Sequence, residues 1–173
     1  MSYYHRAPRV YAPYIMEMSA PNYSSPCFST DEFGFRTTIY KGNRLTLRAY
    51  RELIDRPRAA IFGNSTAFGV GTTSDSLTIP SHLNRNTQFL WFNFSGRTFQ
   101  STQELLCYLL FAPEGIEKIV IISGINNFDM SYRWFSDDTI YLPPFYNQRP
   151  FLSAYFDKEI EPKGFLRRLI GRI

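Results

Sequence analysis

Ala59-Ala60-Ile61-Phe62-Gly63-Asn64-Ser65 is the stretch on which the fold turns. Four apolar residues run without a polar break and stop at a glycine. This predicts a buried β-strand that ends in a loop. Gly69 and Gly71 keep that loop flexible. The same grammar recurs twice downstream. Phe89-Leu90-Trp91-Phe92-Asn93-Phe94 is apolar and closes on Ser95-Gly96. Ile116-Glu117-Lys118-Ile119-Val120-Ile121-Ile122 is the clearest strand of the three, β-branched and bounded by glycine. It closes on Ser123-Gly124-Ile125-Asn126-Asn127.

Helical patterns separate these strands. Leu77 to Leu83 predicts the start of one helix. Thr102 to Phe111 carries Leu105, Leu106, Leu109 and Leu110 at helical spacing and predicts an amphipathic one. Pro113-Glu114-Gly115 breaks it. Strands alternating with helices imply right-handed parallel crossovers and an α/β layered sheet. The Ile116–Ile122 strand is expected at the centre, covered on both faces. In such sheets the site lies at the carboxyl ends of the strands. All three strands end in polar, glycine-containing loops, which parallel strands would gather along one edge.

Three regions are expected along the chain. Residues 1–30 hold Pro8, Pro13, Pro21 and Pro26 among tyrosines and serines, and read as an irregular arm packed on the domain or as a partner-binding segment. Residues 31–136 form the α/β core. Within it Thr37 to Tyr40 reads as a short strand and Lys41-Gly42-Asn43 as a turn. Residues 137–173 read as an aromatic, proline-rich loop followed by a basic segment containing Arg167, Arg168 and Arg172.

At 173 residues, 44% hydrophobic and 17% aromatic, the sequence has enough apolar mass for one real core. The net charge of +4 is mild and scattered, and no zinc-finger spacing or aromatic-laced basic stripe appears. Nucleic acid is therefore not an expected partner. Cys27 and Cys107 are too few for a disulfide framework, and Cys107 in its helical run reads as a buried small hydrophobe. No apolar stretch approaches the ~20 residues needed to span a bilayer. The first residues have no apolar core of a signal peptide, so the expected location is the cytoplasm. The basic tail is too short to make membrane contact the expected use.

Acyl-transfer chemistry needs a nucleophile at a strand end, donors for a developing oxyanion, and a base. Ser65 can supply the first, with its own N–H as a donor. Gly96 permits close backbone approach in the second loop, and the Asn126 side-chain amide is a donor in the third. Each has a plainer reading as well. Ser65 can cap a helix, Gly96 can be a tight turn, and Asn126 can hold its own loop.

Three blocks carry a family resemblance. Ile61-Phe62-Gly63-Asn64-Ser65-Thr66-Ala67-Phe68-Gly69-Val70-Gly71 resembles the first block of the SGNH/GDSL hydrolases. Asn93 to Gly96, with the helix from Thr102, is similar to the second. Ser123-Gly124-Ile125-Asn126-Asn127 is similar to the third, and Asp31 to Arg36 looks like the Gly-Phe-Arg lead-in of many members. The match spans roughly residues 31–130. It implies a flavodoxin-like three-layer parallel sheet, here incomplete at the C-terminus. It implies Ser65 as nucleophile of a hydrolase or acyltransferase acting on small-molecule or carrier-bound esters or thioesters. Ser65, Gly96 and Asn126 would form the oxyanion hole, and Asn64 and Asn127 would lie against substrate. No metal or organic cofactor is implied.

The sequence departs from the family in three places. Asn64 and Asn127 stand where aspartates are usual. Ser95 and Thr98 are alternatives to Gly96 for the second donor. The Asp-x-x-His segment that supplies the base has no counterpart, since the only histidines are His5 and His82. Neither is in a position to which the resemblance gives that role. The expectation is that a second chain, or a missing C-terminal part, brings Asp and His. The competing expectation is a catalytically inactive SGNH-like binding or assembly subunit.

Overall fold

The computed structural model describes residues 2–128. They belong to one unit, Met1–Asp129. The expected core boundary at 136, the 137–173 segment and its three arginines lie outside the described residues.

A parallel sheet of three strands forms the centre of this unit. β5 (Arg58–Gly63) lies in the middle, β6 (Leu90–Asn93) on one side and β7 (Ile116–Ile122) on the other. Both pairings are parallel, with Ile61 opposite Asn93 on one flank and Val120 on the other. β5 sends its side chains alternately to two apolar clusters. Ala60 and Phe62 join Phe92, Phe94 and Cys107 of helix α5 (Ser101–Phe111) on one face. Ala59 and Ile61 join Trp91 and Leu83 of helix α4 (Ile79–Asn86) on the other. The connection leaving β5 thus crosses one face and that leaving β6 crosses the other. Strand-end loops that part in this way leave a crevice above the carboxyl edge of a sheet.

The sequence reading of this α/β core holds at the level of class, strand positions and helix positions. Three expectations change. Among the described residues β7 flanks the sheet and β5 is its centre. Ile119 and Ile121 are 43% and 65% exposed, because β5 is the only strand β7 pairs with among the described residues. Helix α5 is rotated relative to the expectation. It buries Gln103, Glu104 and Cys107, whereas Leu105, Leu109 and Leu110 face outward. The apolar periodicity is helical as expected, but of its four leucines only Leu106 packs against the main core.

The third change concerns residues 1–30. A short helix α1 (Ser2–Arg6) leads into an antiparallel hairpin of β1 (Arg9–Ala12) and β2 (Met16–Ser19). Ile15 and Met18 enter the main core. Tyr4 stacks on Phe28 in a smaller cluster. Gln103 of α5 donates to the Ile15 carbonyl at 2.7 Å. Buried Arg97 donates to the carbonyls of Tyr4, Ala7 and Pro8. The hairpin is a structural wall of the core, not an irregular arm.

A second hairpin, β3 (Thr38–Tyr40) with β4 (Asn43–Leu45), turns at Lys41-Gly42 as its sequence predicts. Helix α2 (Leu47–Glu52) follows, capped by the Thr46 side chain. Tyr50 of α2 donates its buried hydroxyl to the Ala59 carbonyl, fixing α2 against β5.

Candidate functional site

Gly63 ends β5 at φ 153°, and a side chain there would overlap the Ile122 carbonyl and the Ala67 methyl. The chain then turns directly into helix α3 (Ser65–Phe68). Asn64 is its N-cap and accepts from the Thr66 N–H at 3.1 Å. Asn64 is 2% exposed, so it presents no surface to a ligand. The cap reading considered for Ser65 belongs to Asn64. Ser65 is left half-buried at the first helical position. Neither its N–H nor its hydroxyl bonds to a described residue. Both groups are therefore available to a substrate.

The three strand-end loops meet. The Asn64 N–H donates to the Ile122 carbonyl of β7 at 3.4 Å, joining the first loop to the third. The Gly96 N–H donates to the Gly63 carbonyl at 3.1 Å, joining the second to the first. Asn93 of β6, wholly buried, donates its side-chain amide to the Ala67 carbonyl of α3 at 3.1 Å. Its oxygen accepts the Ser95 N–H. The third loop starts a helical turn over residues 125–128. Asn126 there donates to the Phe99 carbonyl at 3.0 Å, and Asn127 accepts the Ser101 N–H at 3.1 Å.

These bonds qualify the expected oxyanion hole. The Gly96 N–H is committed to Gly63. Of the two N–H bonds that the Asn126 amide can donate, one goes to Phe99. Ser65 N–H is the donor that remains open, and the Asn126 amide keeps one N–H beyond its bond to Phe99. Gly96 itself has no room for a side chain, since a Cβ would run into the Phe99 ring. Asn127 serves the start of α5, and its partly exposed side chain also lines a cavity between α5 and β7.

No described residue provides a base for Ser65. His82 sits on the exposed side of α4, its Nδ1 2.8 Å from the Arg85 guanidinium. His5 is exposed on α1. Asp31 and Asp75 are buried carboxylates with other duties, and Glu104 is buried with Oε1 unbonded to any described residue. Asp31 accepts the N–H groups of Phe33, Phe35 and Leu47. Burial lifts its carboxyl to about 6 against the pull of those N–H groups. Asp75 pairs with Arg36. Burial raises Glu104, with Ser123 pulling the other way. Among the described residues no group of His, Cys, Asp and Glu could hold a metal ion. Nor is any described helix long and apolar enough to cross a membrane.

Sequence reasoning missed the residues that hold the first loop. Arg36, wholly buried, donates to the Phe68 and Gly69 carbonyls at the end of α3. Asn93 clamps the middle of the same helix. The Gly-Phe-Arg lead-in was the available signal for Arg36, and a polar residue closing an apolar strand was the signal for Asn93. No known family model and no curated protein matches the sequence.

Proposed function

We propose that this chain is an SGNH/GDSL-type serine hydrolase or acyltransferase of flavodoxin-like fold. It acts on an ester or thioester through Ser65, with an Asp–His pair supplied from outside these 173 residues. The observation that carries this reading is the Ser65 position. It follows the central strand of a parallel sheet, heads a helix, and keeps both hydroxyl and N–H unbonded, between loops tied to it on either side.

The chemistry follows from that placement. Ser65 Oγ attacks the acyl carbonyl carbon and its proton passes to the incoming imidazole. The carbonyl oxygen becomes an oxyanion and accepts the Ser65 N–H and the second Asn126 N–H. The Gly96 N–H joins them when its bond to Gly63 yields. The alkoxide or thiolate leaves with the proton from the imidazole, and water or an acceptor alcohol resolves the acyl-enzyme. Losing one such donor costs about 100- to 1000-fold in rate.

A second reading is a non-catalytic binding or assembly subunit. The engaged Gly96 N–H and the lack of a base beside Ser65 among the described residues favour it. Fluorophosphonate labelling of the full chain, alone and with the protein encoded beside it, separates the two. Labelling on Ser65 that Ser65→Ala abolishes supports the hydrolase. Absence of labelling in both conditions supports the binding subunit.

A further inference from the structure

The structure assigns the lane between α5 and β7 to an amphipathic helix of another polypeptide, apolar along one face and carrying one basic side chain toward Glu104. Ile119 and Ile121 of β7 point to the same side of the sheet as Phe62 of β5. With Leu105 and Tyr108 of α5 they line a cavity of about 400 Å³. A parallel strand is normally covered on both faces, and among the described residues nothing covers Ile119 and Ile121 on the face beside α5. Leu105 and Leu109 are 57% and 65% exposed and widen the apolar surface along the helix. An apolar area of this kind marks an interaction surface.

Glu104 says what the occupant brings. Its side chain lines the cavity, the residue is 5% exposed, and, although Ser123 lies within reach of the carboxyl, Oε1 has no hydrogen-bond partner among the described residues. A buried carboxylate oxygen left unpaired is costly, and a cationic donor relieves that cost. Among the described residues no basic one lines the cavity. Lys118 of β7 instead lies over the Phe89 ring at 4.3 Å, in the cluster on the opposite face. A second copy presenting the same lane would add another Glu104 and no cation. A purely apolar small molecule would leave Oε1 unpaired and Leu109 outside. A helix laid beside α5 covers both and reaches the carboxylate. This inference does not depend on what Ser65 does.

The test is selection from a displayed random peptide library, about four helical turns long, on the full chain. The expected result is enrichment of apolar residues at helical spacing together with a single Lys or Arg. Leu105→Glu alters an exposed side chain and leaves the core intact, and it should weaken the selected peptides about tenfold or more. Glu104→Gln should weaken them about tenfold while leaving their Lys/Arg→norleucine versions unchanged. The inference is overturned by no enrichment, by enrichment without a basic residue, or by alternating strand-like apolar spacing. It is also overturned if binding survives Leu105→Glu, or if sedimentation shows a dimer that Leu109→Glu dissociates.

Discussion

Arg36 and Asp75 form a buried ion pair at 3.0 Å that clamps the end of the Ser65 helix. The guanidinium has no solvent contact and is ringed by Tyr4, Phe28 and Phe68. Its remaining donors reach the carbonyls of Phe68, Gly69, Cys27 and Ser74 and the Tyr4 hydroxyl. The Asp75 carboxylate also accepts from the Ser29 N–H and hydroxyl and from Thr37. One planar cation thus ties residues 4, 27, 36, 68, 69, 74 and 75 into a single node.

Removing one member of such a pair leaves the other buried and unpaired, at about 3–5 kcal/mol. Arg36→Met and Asp75→Leu should each lose that much in urea melts. Arg36→Lys should also fall well short of the parent, because an ammonium cannot span this fork of acceptors. A lysine variant as stable as the parent would contradict the clamp.

Asp31 predicts a pH dependence. In the unfolded chain an aspartate titrates near ~3.9, whereas burial holds the folded carboxyl at about 6. Between these values the unfolded chain releases a proton that the folded chain keeps. Folding stability therefore falls as pH rises through the window, by up to about 1.4 kcal/mol per pH unit from this group. Glu104 is shifted in the same direction by burial. Urea midpoints should be higher near pH ~5 than near pH ~6.5, with a smaller slope in Asp31→Asn. A midpoint that rises with pH across that window would count against the assignment.

Gly63→Ala should be among the most damaging small substitutions. It combines a φ of 153° with overlap onto the Ile122 carbonyl, at the join between the central strand and Ser65. A loss of about 3 kcal/mol or more is expected. Thermal melts check the stability, and loss of any Ser65 labelling checks the loop. A variant with parent-like stability would mean the turn is looser than described.

The two cysteines should behave differently toward a thiol reagent. Cys107 is wholly buried, and burial raises its thiol above the ordinary range. Cys27 is half-buried near the surface. In the native protein Cys27 should react and Cys107 should stay protected until urea unfolds the chain. Equal reaction of both without denaturant would show that α5 opens readily from β5.

The strands around the candidate site were legible because their signals are local. Ala59 to Phe62 and Phe89 to Phe92 are continuous apolar runs that give way to polar residues and loops, and the structure keeps them in β5 and β6. Their parallel sense followed from the helices between them. What local patterning does not encode is which element becomes central. β7 has the strongest strand sequence, Ile116 to Ile122, and flanks the sheet in the described unit. The phase of α5 was hidden for a related reason. Glu104 and Gln103 are polar yet buried, while Leu105 and Leu109 are apolar yet exposed. The N-terminal hairpin lacks a strong apolar alternation, and it is held by Arg97 and Gln103, whose partners are far away in sequence. Arg36 and Asp75, nearly forty residues apart, belong to the same class of long-range polar contact.

The most direct measurement is the rate at which a fluorophosphonate probe labels Ser65 in the full chain as free imidazole is added. If Ser65 is a nucleophile lacking only its base, labelling rises with imidazole concentration and disappears in Ser65→Ala. Labelling that stays absent at every imidazole concentration, or that persists in Ser65→Ala, would contradict the account.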